Sequence, residues 1–261
     1  DGEGGRVLRC VATDGHRLAR IDAALPEGAD EMPGVIVPRK TVAELKKLLD
    51  GDDAEIAVSV SETKVRFATP TIMLTSKVID GTFPDYERVI PRGNDKQADI
   101  DNALFAKAVD RVATISAEKS RSVKLAFDND RVKLTVRNME AGQAEEEVEI
   151  GYSDEPFEIG FNARYLLDVA GQITGETAHF KFADPASPTL VLDPADVGVQ
   201  YVLMPLRVSA RQEVGGIDLS AHPVTHGAGL GLAGVSRHLA RAAPAGRAVG
   251  CKDFGGQAQD A

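Results

Sequence analysis

Two cysteines in 261 residues, Cys10 and Cys251, lie near opposite ends of the chain. That scarcity excludes a disulfide framework and a cysteine-based metal site, disfavours redox chemistry, and fits a reducing compartment. No stretch approaches the roughly eighteen consecutive apolar residues of a membrane-spanning helix. The opening DGEGGRVLRC has neither the basic start nor the apolar run of a secretory signal, so a soluble, cytoplasmic protein is expected. Basic residues are also in deficit, 30 Lys and Arg against 40 Asp and Glu, for a net charge of −10. A surface attractive to nucleic acid throughout is thereby excluded. An average does not locate charge, however, and one basic stripe can sit on an acidic molecule. What the sequence does have is 43% apolar residues, enough to core one large domain or two ordinary ones.

Residues 6–11 and 17–24 read as short strands on either side of an Asp14-Gly15 turn, which places TDGHRL (13–18) on a hairpin connection. The apolar VIV at 35–37 leads through Pro38 into TVAELKKLLD, where Val42, Leu45, Leu48 and Leu49 repeat at helical spacing. Thr41 is the expected cap of that helix and Gly51 its expected end. Strand-like runs EIAVSV, KVRFAT and IMLTSKVI follow, and the unit closes at GTFPDY. A second unit opens after VIPRGNDKQ with the amphipathic NALFAKAVDRVATI, then SVKLAFD, RVKLTVRN and EEEVEI as strands. It continues with the strand PFEIGFN, the helix ARYLLDVAGQI, and the strands AHFKFAD, PTLVLD and VQYVLMPLRV.

Residues 35–86 and 157–208 thus carry one series, strand, helix and three strands, at a separation of roughly 120 residues, the mark of an array of like domains. The second unit contains the series twice and the first only its latter copy, so the chain reads as cut inside a domain. Residues 209–261 differ in kind: 21 of 53 are Gly or Ala, with no sustained periodicity beyond a short helical stretch at VSRHLARAA. They read as a disordered extension.

Asp14 and His16 could serve a hydrolase, but no serine elbow, metal set or cysteine nucleophile accompanies them. GLGLAG (229–234) spells a dinucleotide fingerprint with Asp253 about twenty residues on. No apolar strand leads into it and no room remains for a βαβ unit. His222, His226 and His238 lack a carboxylate cluster and Pro223 breaks the local helix, so no metal and no cofactor are expected.

VATDGHRLA, VIVPRK, TSKVIDGTFPDY, FNARYLLDV and YVLMPLR occur in the order and spacing of the bacterial β sliding clamp, the processivity subunit of DNA polymerase III. The chain resembles that family over residues 6–208. The resemblance implies an α+β clamp fold of repeated helix-plus-antiparallel-sheet domains, with helices lining the DNA side. It divides the chain into a truncated middle domain (1–86), a whole C-terminal domain (87–208) and the extension (209–261). It also implies a non-catalytic protein that encircles duplex DNA as a head-to-tail homodimer, and that binds linear motifs of the polymerase III alpha subunit, the clamp loader and other polymerases or repair proteins. The family meets its partner protomer through a first domain that this sequence lacks, so the alternative is a ring-incompetent peptide-binding module.

By the same resemblance, Thr13, Gly15, His16, Arg17 and Leu18 form one wall of the peptide pocket, and Pro84, Arg88 and Val89 come from the interdomain stretch. Asn162 and Tyr165 follow from the third-domain helix. Val202, Leu203, Met204, Pro205, Leu206 and Arg207 complete the set from the last strand. Aliphatic and Met side chains adapt to apolar anchors while Gly and Pro fix backbone shape. Read without the family, Leu18, Val202 and Leu203 are plain core. Ser120 stands where some relatives carry an aromatic. Arg39, Lys40, Lys46, Lys47, Lys107 and Arg111 fall on the helices that face DNA in the family, where they would meet phosphates without reading bases. Read alone, they are solvated helix faces. Ile115 and the acidic run with Glu145, Glu146 and Glu147 match the family's dimer surface.

Overall fold

The structure, a computed structural model, describes residues 6–49, 55–116 and 121–206. Gly51, Ser120, Arg207 and the whole of 209–261 lie outside the described residues, and with them the GLGLAG motif and the three histidines. The described chain falls into two compact units. One comprises residues 6–11, 21–49 and 55–84, and the other residues 12–20, 85–116 and 121–206.

The chain opens with β1 (Val7–Thr13) and β2 (Arg17–Ala24), hydrogen-bonded neighbours joined by the turn at 14–16. In the first unit, helix α1 (Arg39–Leu48) is followed by β3 (Ala57–Val60), β4 (Lys64–Ala68) and β5 (Met73–Lys77), a three-stranded antiparallel sheet. Leu45 and Leu49 of the helical segment pack with Ile56, Val65 and Phe67 as the core. The helix starts three residues before the sequence pattern suggests. Pro38, whose ring holds φ at −60°, is its cap and its carbonyl accepts from the Val42 amide at 3.1 Å. Thr41 is therefore not a cap. It lies inside the helix, buried, with its hydroxyl 2.6 Å from that of Ser76.

The second unit runs through a 3-10 turn (Tyr86–Arg88) into β6 (Lys96–Asp101), α2 (Asn102–Ala113), β7 (Ser122–Asp128), β8 (Arg131–Asn138) and β9 (Gly142–Gly151). It then repeats the series with β10 (Phe157–Asn162), α3 (Ala163–Ala170), β11 (Thr177–Phe182), β12 (Thr189–Leu192) and β13 (Val199–Leu203). The sequence pattern opens this unit on its helix and misses β6. Only Ala98 and Ile100, both closed to solvent, alternate there with Gln97, Asp99 and Asp101, and two apolar residues make a faint period-2 signal.

The two halves exchange their first strands. β6 pairs antiparallel with β11 of the other half, and β10 pairs antiparallel with β7. Each first strand runs straight into a helix through a side-chain cap: Asp101 accepts from the Leu104 amide, and Asn162 from the Arg164 amide at 2.9 Å. The sheet order, with β2 contributing Arg17–Arg20, is β2-β13-β12-β11-β6-β9-β8-β7-β10. Phe105, Phe127, Phe157, Phe180 and Phe182 form one buried aromatic cluster, with ring centroids of Phe127 and Phe182 4.9 Å apart. The internal repeat has a backbone signature too. Leu206, just past β13, donates to the Gly160 carbonyl at 2.8 Å, and Ile79, just past β5, donates to the Ile36 carbonyl at 2.9 Å.

Asp193 fixes the loop after α3. Its buried carboxylate accepts from the Thr174 amide (2.6 Å) and hydroxyl (2.8 Å), the Ala195 amide (3.0 Å) and the Gly175 amide (3.3 Å). A Cβ on Gly175 would stand 2.9 Å from that carboxylate and 3.1 Å from the Ala195 Cβ. The C-terminal end of α3 is thereby tied to the turn between β12 and β13, and α3 carries the candidate site.

Candidate functional site

The opening loop is built by its own polar side chains. The Asp14 carboxylate accepts from the His16 and Arg17 amides, both at 3.0 Å, and the Thr13 hydroxyl donates to the Arg17 carbonyl at 2.8 Å. Such Asx-type bonds replace the strand ladder where the chain reverses. Gly15 supplies the left-handed backbone, φ +84°, and a Cβ placed on it would meet no atom within 4 Å. Gly15→Ala is therefore expected to cost about 1 kcal/mol through backbone strain alone, and Gly15→Asn less. Urea unfolding followed by tyrosine fluorescence checks this; equal losses for the two variants would mean that the backbone conformation is not the cause.

Arg17 is where the loop meets α3. Its guanidinium, only 7% exposed, donates from Nε to Asp14 Oδ2 at 3.0 Å and from Nη1 to Asp168 Oδ2 at 2.5 Å. Its Cζ lies 4.4 Å from the centroid of the Tyr165 ring. The His16 ring stacks on the same Tyr165 at 6.3 Å, and the His16 carbonyl accepts from the Met204 amide at 2.9 Å. Consecutive loop residues thus grip one aromatic, and the loop backbone is pinned to the segment that ends β13. Asp14 has no proton-transfer geometry toward His16, since its oxygens serve backbone amides and Arg17. The pair is a shaped turn.

A resemblance carried by this loop, α3 and the end of β13 has a counterpart in whole-chain comparisons. Residues 87–207 match the family described as DNA polymerase III beta subunit, C-terminal domain, and residues 3–85 match its central domain. The chain belongs to the β sliding clamp family. The beta sliding clamp of Caulobacter vibrioides is 68% identical over 207 residues, which cover 79% of this chain and 56% of that protein. The Escherichia coli K12 beta sliding clamp is 40% identical over 206 residues, covering 78% and 56%. A crystal structure of the Caulobacter crescentus clamp superposes with a TM-score of 0.75 at 68% identity, over 77% of this chain and 54% of that one. A Bartonella birtlesii sliding clamp solved bound to griselimycin gives 0.75 at 50% identity, over 77% and 55%. The fold is accordingly the clamp fold, α+β as its antiparallel sheets and helices require. The chain spans a little over half the length of these relatives.

The other positions drawn from the clamp family fall into three groups. Thr13, Asn162, Met204, Pro205 and Leu206 are partly exposed and lie on the loop, the start of α3 and the segment after β13. Leu18, Val202 and Leu203 differ from the expectation of an open wall. At 3%, 0% and 1% exposure they are closed to solvent; Val202 and Leu203 are neighbours on β13 and point to opposite faces, so both faces of that strand are covered there. Pro84, in the first unit, and Arg88 and Val89, in the second, are exposed, and Arg88 pairs with Asp85 at 2.6 Å. Two residues that matter most to the loop, Asp14 and Asp168, were not among the expected site residues. The spacing of Asp14 and Arg17 held a signal for the first of these pairings, but nothing in the sequence brings Asp168 to Arg17.

Of the charges expected to face DNA, Arg39, Lys40, Lys46 and Lys47 are all exposed on α1, with Lys47 3.1 Å from Glu44. The helix holds four basic residues and one acidic residue, a local excess of three positive charges in a chain of net −10. Lys107 is exposed on α2. Arg111 is not a free cation: its guanidinium grips both oxygens of Glu146 on β9, with Nε to Oε2 at 2.9 Å. The two were assigned to different surfaces, yet they neutralise each other. The Arg111 hydrogen bond and charge hold Glu146 below the usual carboxylate range, and the Lys133 hydrogen bond does the same for Glu145. The half-buried Ile115, just past α2, accepts from Asn138 Nδ2 through its carbonyl. Among the described residues no group of three His, Cys, Asp or Glu could hold a metal, and no helix is long and apolar enough to cross a membrane.

Proposed function

We propose that this chain is the peptide-recruiting and DNA-facing part of a cytoplasmic bacterial sliding clamp. It is a non-catalytic processivity factor whose full-length form encircles duplex DNA as a head-to-tail homodimer. The division into a middle domain (1–86), a C-terminal domain (87–208) and an extension (209–261) belongs to the same reading. The observation that carries it is the opening loop, whose side chains hold His16 and Arg17 on Tyr165 while its backbone is tied to Met204. A preorganised rim of aromatic, Met and Pro groups with the backbone already fixed suits an extended linear motif, because little ordering entropy remains to be lost on binding. The partners of that rim are the alpha subunit of the polymerase, the clamp loader, and other polymerases or repair proteins bearing such motifs. Saturable binding of a fluorescein-labelled peptide carrying a clamp-binding motif, weakened by Met204→Ala, is the expected result. No saturable binding would sink the pocket.

Charge supports the DNA contact. Arg39 and Lys40 occupy the first turn of α1, where the helix dipole disfavours cations. The same placement lines their charge up with the orphan amides of that turn toward an external phosphate. For duplex DNA, the slope of log affinity against log salt is expected to become shallower by about 0.9 for each phosphate partner removed by Arg39→Ala or Lys40→Ala. An unchanged slope would remove α1 from the interface.

Edge geometry supports the dimer. Among the described residues, β9 pairs with β8 from Gly142 to Glu149 but with β6 only at Gly151 and Ile150, so its first residues, Glu145 to Glu147 included, offer an open edge to another strand. A stand-alone peptide-binding module is the second reading, favoured because the loop, Tyr165 and Met204 all lie within the second unit.

A further inference from the structure

We infer that Asp168 is a positioning residue of the peptide groove: by holding Arg17 from α3, it sets the face that His16 and Tyr165 present to a bound peptide. This rests on the groove reading and names a residue that the family-derived set omits. Three observations carry it. First, the Arg17 guanidinium is 7% exposed and has a carboxylate on either side, Asp14 from the turn and Asp168 from α3. Asp14 is three residues away and constrains the turn only locally. Asp168, 151 residues away in sequence, is the charge that fixes the turn relative to α3. Second, the same guanidinium lies 4.4 Å from the centroid of Tyr165, one helical turn before Asp168, so Asp168 and Tyr165 grip Arg17 from the same helix. Third, His16 stacks on Tyr165 and its carbonyl takes the Met204 amide, so any swing of Arg17 is transmitted to both sides of the rim.

Asp168 itself is 38% exposed at its side chain, so its second role is electrostatic. It places a partly solvated carboxylate beside the groove, which disfavours peptides carrying an acidic residue at that point and leaves Arg17 committed to the protein rather than to the ligand. The peptide class that fits is an apolar motif with no acidic residue facing α3.

The test uses the 261-residue chain, the labelled motif peptide, and the isosteric Asp168→Asn alongside Asp168→Glu. Loss of the charge-assisted bond in Asp168→Asn is expected to weaken the apolar peptide about tenfold. The NMR signals of the His16 ring, shifted by the stacked Tyr165, should move toward free-histidine positions, while the amides of Leu125 and Val132 in the core stay in place. Asp168→Glu is expected to restore most of the affinity and of the His16 shift, which a general loss of stability would not allow. A peptide variant with an acidic residue should gain relative to the parent on Asp168→Asn. Unchanged affinity and unchanged His16 signals, with the wild type binding normally, would overturn the role of Asp168 and leave the groove intact. Absence of binding by the wild type would overturn the groove, and this inference with it.

Discussion

Asp193→Ala is expected to destabilise the second unit by about 3 kcal/mol, the scale for stranding buried donors without their acceptor. Four donors converge on that carboxylate, and the side chain is 1% exposed, so water does not replace the deleted oxygens. Burial alone would push the Asp193 carboxyl up. The Thr174 amide and hydroxyl, with the Ala195 and Gly175 amides, outweigh burial and hold it below the usual carboxylate range. Because the folded value is depressed, the stabilisation is fully present above the unfolded carboxylate pKa of about 3.9 and is lost as pH falls through the lower folded value. The gap between wild type and Asp193→Asn should therefore be widest at neutral pH, begin to narrow near about pH 4 and close only below the lowered folded value. All four tyrosines, Tyr86, Tyr152, Tyr165 and Tyr201, belong to the second unit and the chain has no tryptophan, so tyrosine fluorescence in urea reads that unit alone. A gap that stays constant with pH would mean that the ionised carboxylate is not what holds the loop.

Arg17→Ala is expected to reduce peptide affinity by more than tenfold and to cost about 2 kcal/mol of second-unit stability, a loss moderated because Asp168 is partly solvated. The binding loss exceeds what stability predicts, since the substitution releases Asp14, Asp168 and Tyr165 together and unpins the loop that presents His16. Arg17→Lys should recover the charge but not the two-carboxylate fork or the stacked plane, and so only part of the affinity. Isothermal titration of both variants against the motif peptide checks this. Equal affinity for all three proteins would show that Arg17 is structural only.

Most elements were legible in the sequence because they obey simple periods. α2 shows buried Phe105, Ala108, Val109 and Val112 at helical spacing, and β7 alternates Val123, Leu125 and Phe127 inward. β6 was missed because alternation spread over two small or medium apolar residues among acidic ones looks like loop. The start of α1 was misplaced because a threonine at 41 competes, as a candidate cap, with a proline at 38 that needs no side-chain bond. Within the site, the turn at Gly15 and its Asp14 bonds are local and could be read from TDGHRL itself. The grip of Asp168 on Arg17 and the pairing of Arg111 with Glu146 could not, because each joins residues whose meeting depends on the packing of distant elements. Burial sorted the rest: Leu18, Val202 and Leu203 adjoin the rim residues along the chain but are closed to solvent.

The central claim, that the loop, α3 and the end of β13 form one peptide-binding surface, is tested most directly by hydrogen–deuterium exchange of the chain with and without a saturating motif peptide. Added protection is expected at residues 13–18, 162–168 and 202–206, with residues 64–68 and 131–138 unchanged. Protection confined to those latter strands, or none at 13–18 under saturating peptide, would contradict it.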